Sequence, residues 1–229
     1  MRSTAILIPA RYNSKRLPGK PLCMLDGVPM IRRVYDACVA SKIPTYVLTD
    51  DRRIADVIPK RHSWTDEVDE YANGTERCAG ALKHSPLLTE YTHFINVQGD
   101  MPDVTVQMIE RCVEMLKHYP VSTVFTEMPQ EMQNDPSTVK MVRAGDQALW
   151  FGRGLTGYGD WHLGVYGYKR NALELYSNLE VTKEEELEKL EQLRWLKNGW
   201  QIGCSSVYFK GIEINSPKDV DIWHKQNSQ

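Results

Sequence analysis

The run Ala5-Ile6-Leu7-Ile8, closed by Pro9, constrains the fold of this chain more than any other stretch. It is short and unbroken, which suits a strand buried on both faces better than an alternating surface strand. A parallel sheet covered by helices is its natural host. Ile31, Val34, Tyr35 and Cys38 then fall at i, i+3, i+4 and i+7, the apolar stripe of an amphipathic helix. Tyr46-Val47-Leu48-Thr49 reads as a second strand that ends at Asp50-Asp51. The pattern continues with a helix through 78–82, a strand over 93–97, a helix over 104–116 with Met108, Cys112 and Met115 inward, and a strand over 121–125. Alternating strand and helix predicts right-handed crossovers and a three-layer, Rossmann-like α/β fold with a mainly parallel sheet. The carboxyl ends of its strands should carry the site.

Beyond residue 130 the pattern changes. Val139-Lys140-Met141-Val142 and Ala148-Leu149-Trp150-Phe151 flank Ala144-Gly145-Asp146, a hairpin signal. A strand over 164–168, an acidic helix over 182–198, a strand over 206–209 and a helix after Pro217 complete the reading. No repeat or low-complexity linker divides the chain, so 1–229 reads as one domain with an inserted hairpin and strand element over 132–170.

With 229 residues, 41% hydrophobic and 25% charged, the chain can bury one sizeable core, which excludes disorder and collagen. A net charge of -2 gives no sequence-wide reason to expect a nucleic-acid or anionic-membrane partner. No stretch approaches the roughly 20 apolar residues of a bilayer span, and the expected location is the cytoplasm. Five scattered cysteines without a C-x-x-C pair read as reduced and mostly buried.

The chemistry concentrates in Pro9-Ala10-Arg11-Tyr12-Asn13-Ser14-Lys15-Arg16-Leu17-Pro18-Gly19-Lys20-Pro21, directly after the first strand. Backbone amides at the end of a buried strand, joined by converging cations, suit a polyphosphate. The plainer reading is a solvated basic loop. Neither G-x-x-x-x-G-K-[ST] nor G-x-G-x-x-G is present. Asp100, at the end of the third strand, is placed either to hold a hard cation or to cap the helix that follows. His162 and Tyr166 lie four apart on one strand and hence on one face, although a lone strand histidine is commonly structural. Glu188, Glu191 and Gln192 read as one helical face able to hydrogen-bond a polyol, and Glu184-Glu185-Glu186 as a solvated helix start.

That loop, with Gly74-Thr75-Glu76-Arg77, Asn96-Val97-Gln98-Gly99-Asp100, His162-Leu163-Gly164-Val165-Tyr166-Gly167-Tyr168 and Leu190-Glu191-Gln192-Leu193-Arg194, resembles the successive motifs of 3-deoxy-manno-octulosonate (Kdo) cytidylyltransferases, the CMP-Kdo synthetases. The first motif is shared with other nucleotidyltransferases, including CMP-sialate synthetases. The histidine-strand and Leu-Glu-Gln-Leu-Arg motifs favour the Kdo branch. The resemblance implies a nucleotidyltransferase fold and a Mg2+-dependent attack of the anomeric hydroxyl of a 3-deoxy-ulosonic acid on the α-phosphorus of CTP. It implies Lys20, Arg16 and Asp100 as catalytic. It implies nucleotide contacts from Pro9, Ala10, Arg11, Ser14, Arg16, Lys20, Thr49, Gly74, Thr75, Arg77 and Gln98. For the sugar it implies Gln98, Arg153, His162, Tyr166, Glu188, Glu191 and Gln192, with Arg153 as the carboxylate partner. It further implies a homodimer, to which Trp150, Tyr166 and Trp195 are candidate contributors, and a role in lipopolysaccharide or capsule assembly.

Three departures stand out. Met101 occupies the place of the family's Glu in Gln-Gly-Asp-Glu-Pro. Asn215, in Ile214-Asn215-Ser216-Pro217, occupies the place of a metal-binding Asp, so the implied metal pair is Asp100 and Asn215. An amide oxygen brings no charge, and Glu213, expected two residues earlier on the same strand face, is a candidate compensation. The segment after Phe151 is shortened to a glycine-rich Gly154-Leu155-Thr156-Gly157-Tyr158-Gly159. Kdo, its 8-amino variant and a sialate-like acid therefore all stand as acceptors. A homologue that binds nucleotide or sugar without turnover is the remaining alternative.

Overall fold

The structure, a computed structural model, describes residues 3–14, 16–66 and 71–227. The opening apolar run becomes β1 (Thr4–Ala10), with Ala5 through Ile8 wholly buried. A small hairpin, β2 (Met24–Leu25) and β3 (Val28–Pro29), leads into α1 (Met30–Val39), which turns Ile31, Val34, Tyr35 and Cys38 inward. Then follow β4 (Thr45–Thr49), the short α2 (Arg52–Ala55), β5 (Ser63–Thr65), α3 (Gly74–His84), β6 (His93–Val97), α4 (Val106–Met115) and β7 (Val121–Thr126). The hairpin of β8 (Lys140–Ala144) and β9 (Gln147–Gly152), the long β10 (Asp160–Lys169) and α5 (Arg170–Leu175) come next. The chain closes with α6 (Lys183–Glu188), α7 (Leu193–Lys197), β11 (Ile202–Ser206) and α8 (Pro217–Asn227).

Nine strands among the described residues form one sheet in the order β5-β4-β1-β6-β10-β7-β11-β9-β8. β1 lies parallel between β4 and β6, and β11 lies parallel to β7. β10 enters antiparallel between β6 and β7, which leaves β7 running the same way as β6. One apolar cluster, with Leu7, Phe94, Tyr168 and Trp195, covers one sheet face. Another, with Ile6, Ile8, Val97 and Met108, covers the opposite face under α1 and α4. The expected three layers are therefore present, and the carboxyl ends of β1, β4 and β6 converge at Ala10, Thr49 and Val97.

Two elements differ from the sequence reading. The strand expected over 206–209 lies earlier, at β11 (Ile202–Ser206), and Tyr208 is exposed. Small residues conceal it: at Gly203 a Cβ would stand 2.3 Å from the Tyr119 ring, so only glycine admits that packing. The acidic helix is broken into α6 and α7, with Lys189 left-handed at φ 54. The cause is Arg194, which folds back to make two bonds to Glu185, Nε to Oε2 at 2.8 Å and Nη2 to Oε1 at 2.7 Å. Its Nη1 donates to Glu76 Oε1 at 3.0 Å, tying the turn to the start of α3. Of the dimer candidates, Tyr166 and Trp195 are core residues at 4% and 1% exposure and have no free surface to offer a partner. All five cysteines are free, Cys23 half-buried and the others buried.

Arg194→Ala would leave the buried Glu185 carboxylate uncompensated. We expect a loss of about 3–5 kcal/mol in urea unfolding, the usual cost of breaking a buried pair. A loss below about 1 kcal/mol, as for an exposed pair, would contradict this placement.

Candidate active site

The loop after β1 is held by its own side chains. The Tyr12 amide donates to Asp50 Oδ1 at 3.1 Å, and the Arg53 guanidinium lies 3.5 Å over the Tyr12 ring. Gly19 adopts φ +65, and a Cβ there would press on the Tyr12 hydroxyl at 3.2 Å. Glycine thus supplies both the left-handed turn and the space. A short 3-10 turn, Lys20–Leu22, follows with Pro21 near its start and sends Lys20 across to the end of β6.

There Lys20 Nζ meets Asp100 Oδ2 at 2.5 Å and Asn215 Oδ1 at 3.3 Å, while Arg16 Nη2 donates to the same Asn215 oxygen at 2.9 Å. The catalytic and metal-binding residues implied by the sequence are thus in one cluster. Asp100 does not cap α4, whose first turn is capped by the Thr105 hydroxyl. Arg11 is exposed and Ser14 half-buried on the same loop; Lys15 lies outside the described residues. Ile214 N–H donates to Asp100 O at 3.0 Å, which fastens the C-terminal segment to the strand end. That segment is not a strand, so the expectation of Glu213 and Asn215 on one strand face does not hold. The two instead flank the buried Ile214. Glu213 Oε1 stands 3.6 Å from where a Gly164 Cβ would be. Burial first, then the nearby Asp100 charge, pushes its carboxyl up to about 7. Met101 is wholly buried in the core, adding to the apolar wall at this point.

At the start of α3, a Cβ at Gly74 would stand 3.1 Å from Pro9 and 3.4 Å from the Gln98 carboxamide, so glycine lets α3 approach both strand ends. The Asn73 side chain caps α3 by accepting from Glu76 N–H at 2.9 Å. Thr75 N–H donates to Glu191 Oε2 at 3.2 Å, and its hydroxyl bonds the Tyr168 hydroxyl at 2.9 Å. Arg77 is buried, with Nη2 on Asp50 Oδ2 at 3.1 Å and Nη1 without a hydrogen-bond partner among the described residues. Thr49 is wholly buried, and its hydroxyl accepts from Asp51 N–H at 3.2 Å.

The sugar-side residues do not share a helical face, because the helix breaks before Glu191. Glu188 accepts from Arg153 N–H at 2.8 Å, whereas Glu191 also accepts from Gln98 Nε2 at 3.4 Å. Burial raises the Glu191 pKa. Gln192 is buried, and its Nε2 has no hydrogen-bond partner among the described residues. The Arg153 guanidinium is partly engaged by Ser137 O at 2.5 Å and Glu188 O at 3.3 Å. His162 and Tyr166 do adjoin, with ring centroids 5.4 Å apart across an irregularity in β10. His162 is buried, and its Nε2 lies 2.9 Å from Thr123 Oγ1. Because that hydroxyl donates to Val165 O at 2.8 Å, it accepts from His162, which fixes the proton on Nε2. Burial, then the Arg153 charge, holds the imidazole pKa down at about 3. The reading of the sequence missed Asp50, which braces both Tyr12 and Arg77, and the wholly buried Lys140. Lys140 Nζ donates to Asp135 O and, at 3.0 Å, to Arg153 O. The acid at the carboxyl end of β4 was a usable signal; Lys140 was masked by its place in a hairpin.

Asp100 and Asn215 offer hard oxygen atoms around a position already filled by an ammonium, a donor set that suits Mg2+. Among the described residues, no group of three or more histidine, cysteine or acidic side chains could hold a metal. Mg2+ ordinarily binds one or two carboxylates together with substrate phosphates, so this sparse set fits it.

A cation-bearing loop, a strand-end carboxylate and a glycine-lined helix start at the carboxyl ends of one α/β sheet define a nucleotidyltransferase. The cytidylyltransferase family profile matches residues 5–202. The chain belongs to that family. It is 35% identical to the 8-amino-3,8-dideoxy-manno-octulosonate cytidylyltransferase of Shewanella halifaxensis and 36% identical to that of Shewanella loihica, with 96% of each chain covered in both comparisons. Among solved structures it is similar to a CMP:2-keto-3-deoxy-manno-octonic acid synthetase complexed with CTP, at TM-score 0.90, 30% identity and 99% coverage of each chain. A glucose-1-phosphate thymidylyltransferase described as putative, from Bacillus anthracis, shares the fold at TM-score 0.73 and 11% identity, covering 98% of this chain and 95% of that one. Among the described residues, no helix is long and apolar enough to cross a membrane.

The neutral His162 predicts an acid sensitivity. Its pKa is about 3 in the fold against an ordinary 6.5, so as pH falls through that interval the unfolded chain takes up the proton first. This contribution is fully present above the ordinary value and is lost toward the folded one, by up to about 1.4 kcal/mol per pH unit. His162→Gln should lose less stability than the parent when urea unfolding is compared at about pH 6.5 and about pH 4.5. An equal loss in both would show that His162 takes up its proton within the fold.

Proposed function

We propose that this cytidylyltransferase transfers CMP from CTP to the anomeric hydroxyl of Kdo or its 8-amino derivative, with Mg2+. The new bond joins the sugar oxygen to the α-phosphorus, the α–β phosphoanhydride bond breaks, pyrophosphate leaves and the hydroxyl loses its proton. The observation that carries this reading is the meeting of Lys20, Arg16, Asp100 and Asn215 beside Gly74 and Gln98. Charge grows on the phosphate oxygens and on the leaving group, so positioning and electrostatic stabilisation dominate such a reaction. Arg16 and Lys20 neutralise that charge, Gly74 and Thr75 admit the nucleotide, and Gln98 and Arg153 orient the acid sugar. Asp100 and Asn215 would hold Mg2+, which when bound would supply Lewis-acid polarisation of phosphate oxygen. The relatives that act on the 8-amino sugar and the structural neighbour that acts on the keto-deoxy acid together support the acceptor class. The exposed Leu149 and Tyr158 of the inserted element support a homodimer formed there. The product suits lipopolysaccharide or capsule assembly, and the chain's composition suits the cytoplasm.

The deciding assay measures pyrophosphate release from CTP and Mg2+ with Kdo, 8-amino-Kdo, a sialic acid or no acceptor. Release with either of the first two, and not with the others, is the expected result. Release only with the sialic acid would overturn the acceptor, and CTP binding without release under any condition would leave a binding protein. Lys20→Ala should lower the rate by roughly 100- to 1000-fold with the fold intact, as does removal of one oxyanion-hole donor. Asn215→Asp should reduce the Mg2+ concentration that gives half-maximal rate, since it adds a charged oxygen ligand. An unchanged or raised requirement would remove residue 215 from the metal site.

A further inference from the structure

We propose that Asp103 is a positioning residue that sets the spacing of the divalent-cation site by bracing the C-terminal segment against the strand end that bears Asp100. This rests on the reading that Asp100 and Asn215 hold the ion. Asp103 follows Asp100 by three residues, in the connection from β6 to α4, yet it faces away from its own helix, whose cap is Thr105. Both of its oxygens accept from the far end of the chain. Trp223 Nε1–H donates to Oδ1 at 2.8 Å, and Ile212 N–H donates to Oδ2 at 3.1 Å. The contact is tight, since a Cβ at Gly211 would come within 2.4 Å of the Asp103 Cβ.

One carboxylate therefore fixes the segment that runs through Glu213 to Asn215 in relation to Asp100. A second tie, Ile214 N–H to Asp100 O at 3.0 Å, shows how closely the two stretches run together. The Trp223 anchor is itself rigid. It is 3% exposed, packs with Leu25, Met30 and Ile214, and lies under the Arg33 guanidinium at 4.9 Å. Leu17 of the phosphate loop packs on this same cluster. Asp103 thus joins the three stretches that contribute Lys20, Asp100 and Asn215. Groups that orient metal ligands without touching the ion commonly change metal affinity by about 10- to 100-fold when removed.

The test uses the full chain with Asp103→Ala, Trp223→Phe and the double variant. Mn2+ binding in the presence of CTP is followed by electron paramagnetic resonance, beside the Mg2+ dependence of pyrophosphate release. Asp103→Ala should weaken Mn2+ binding and raise the half-saturating Mg2+ by about 10-fold, with kcat at saturating Mg2+ unchanged. Trp223→Phe should act in the same direction and more weakly, and the double variant should match Asp103→Ala because both remove one brace. Circular dichroism checks the fold, and if Asp103→Ala fails to fold, Trp223→Phe carries the test. Folded variants that bind Mn2+ as the parent does, or that lose kcat without a higher metal requirement, would overturn the brace while leaving the metal site in place. A parent that binds no Mn2+ with CTP would overturn the metal reading and, with it, this role for Asp103.

Discussion

The contact of Lys20 with Asp100 is the point on which the rest of the site depends. The two residues lie 80 positions apart and meet at 2.5 Å because β1 and β6 are parallel neighbours whose chains leave the sheet at the same edge. With side chains only 18% and 20% exposed, the desolvation of the two charges offsets much of their attraction, so the pair is weak evidence for stability. Its importance is therefore one of placement. It puts a positive charge from the phosphate-type loop and a carboxylate able to hold a cation side by side, where a triphosphate and an attacking oxygen would meet.

Around that contact the two halves of the site are built differently. The half around Gly74 and Arg77 stands on strand ends and on the start of α3, with Asp50 bracing Tyr12 and Arg77. The half around Arg153, His162 and Glu191 stands on less regular structure, a hairpin, the first part of β10 and the turn between α6 and α7. Buried charges hold that half in shape. Arg194 pins the turn that presents Glu191, and Lys140 gathers the carbonyls of Asp135 and Arg153. Such groups are costly to bury and still more costly to leave unpaired. Here they specify a shape that the glycine-rich segment after Arg153 would not keep unaided.

The layers and the active edge were legible in the sequence because they follow from periodicity. A continuous apolar run placed β1, the alternation of strand and helix patterns placed β6, and the i, i+3, i+4 spacing placed α1 and α4. Lys20 stood out in the basic loop after the first strand and Asp100 at the end of the third, whereas Gly74 and Gln98 were legible only through the resemblance of their motifs to the family. What was not legible depended on tertiary contacts. A helix over 182–198 satisfied every local rule until Arg194 reached back to Glu185. β11 was concealed by Gly203, which fits against the Tyr119 ring, and by Ser205 and Ser206, since all three have little strand signal of their own. Thr49 matched a nucleotide-contact position, but its burial and the bond of its hydroxyl to the turn after β4 were not visible. His162 was correctly placed beside Tyr166, but only the Thr123 relay and its depth show that it stays neutral.

The most direct test of the central claim is a crystal structure with CTP and Mn2+, the ion located by its anomalous scattering. The expected result is an anomalous peak bonded to an Asp100 oxygen and to phosphate oxygens, with Lys20 and Arg16 on the triphosphate and the base beside Gly74 and Thr75. A triphosphate bound away from the loop that follows β1, or an ion that does not touch Asp100, would contradict it.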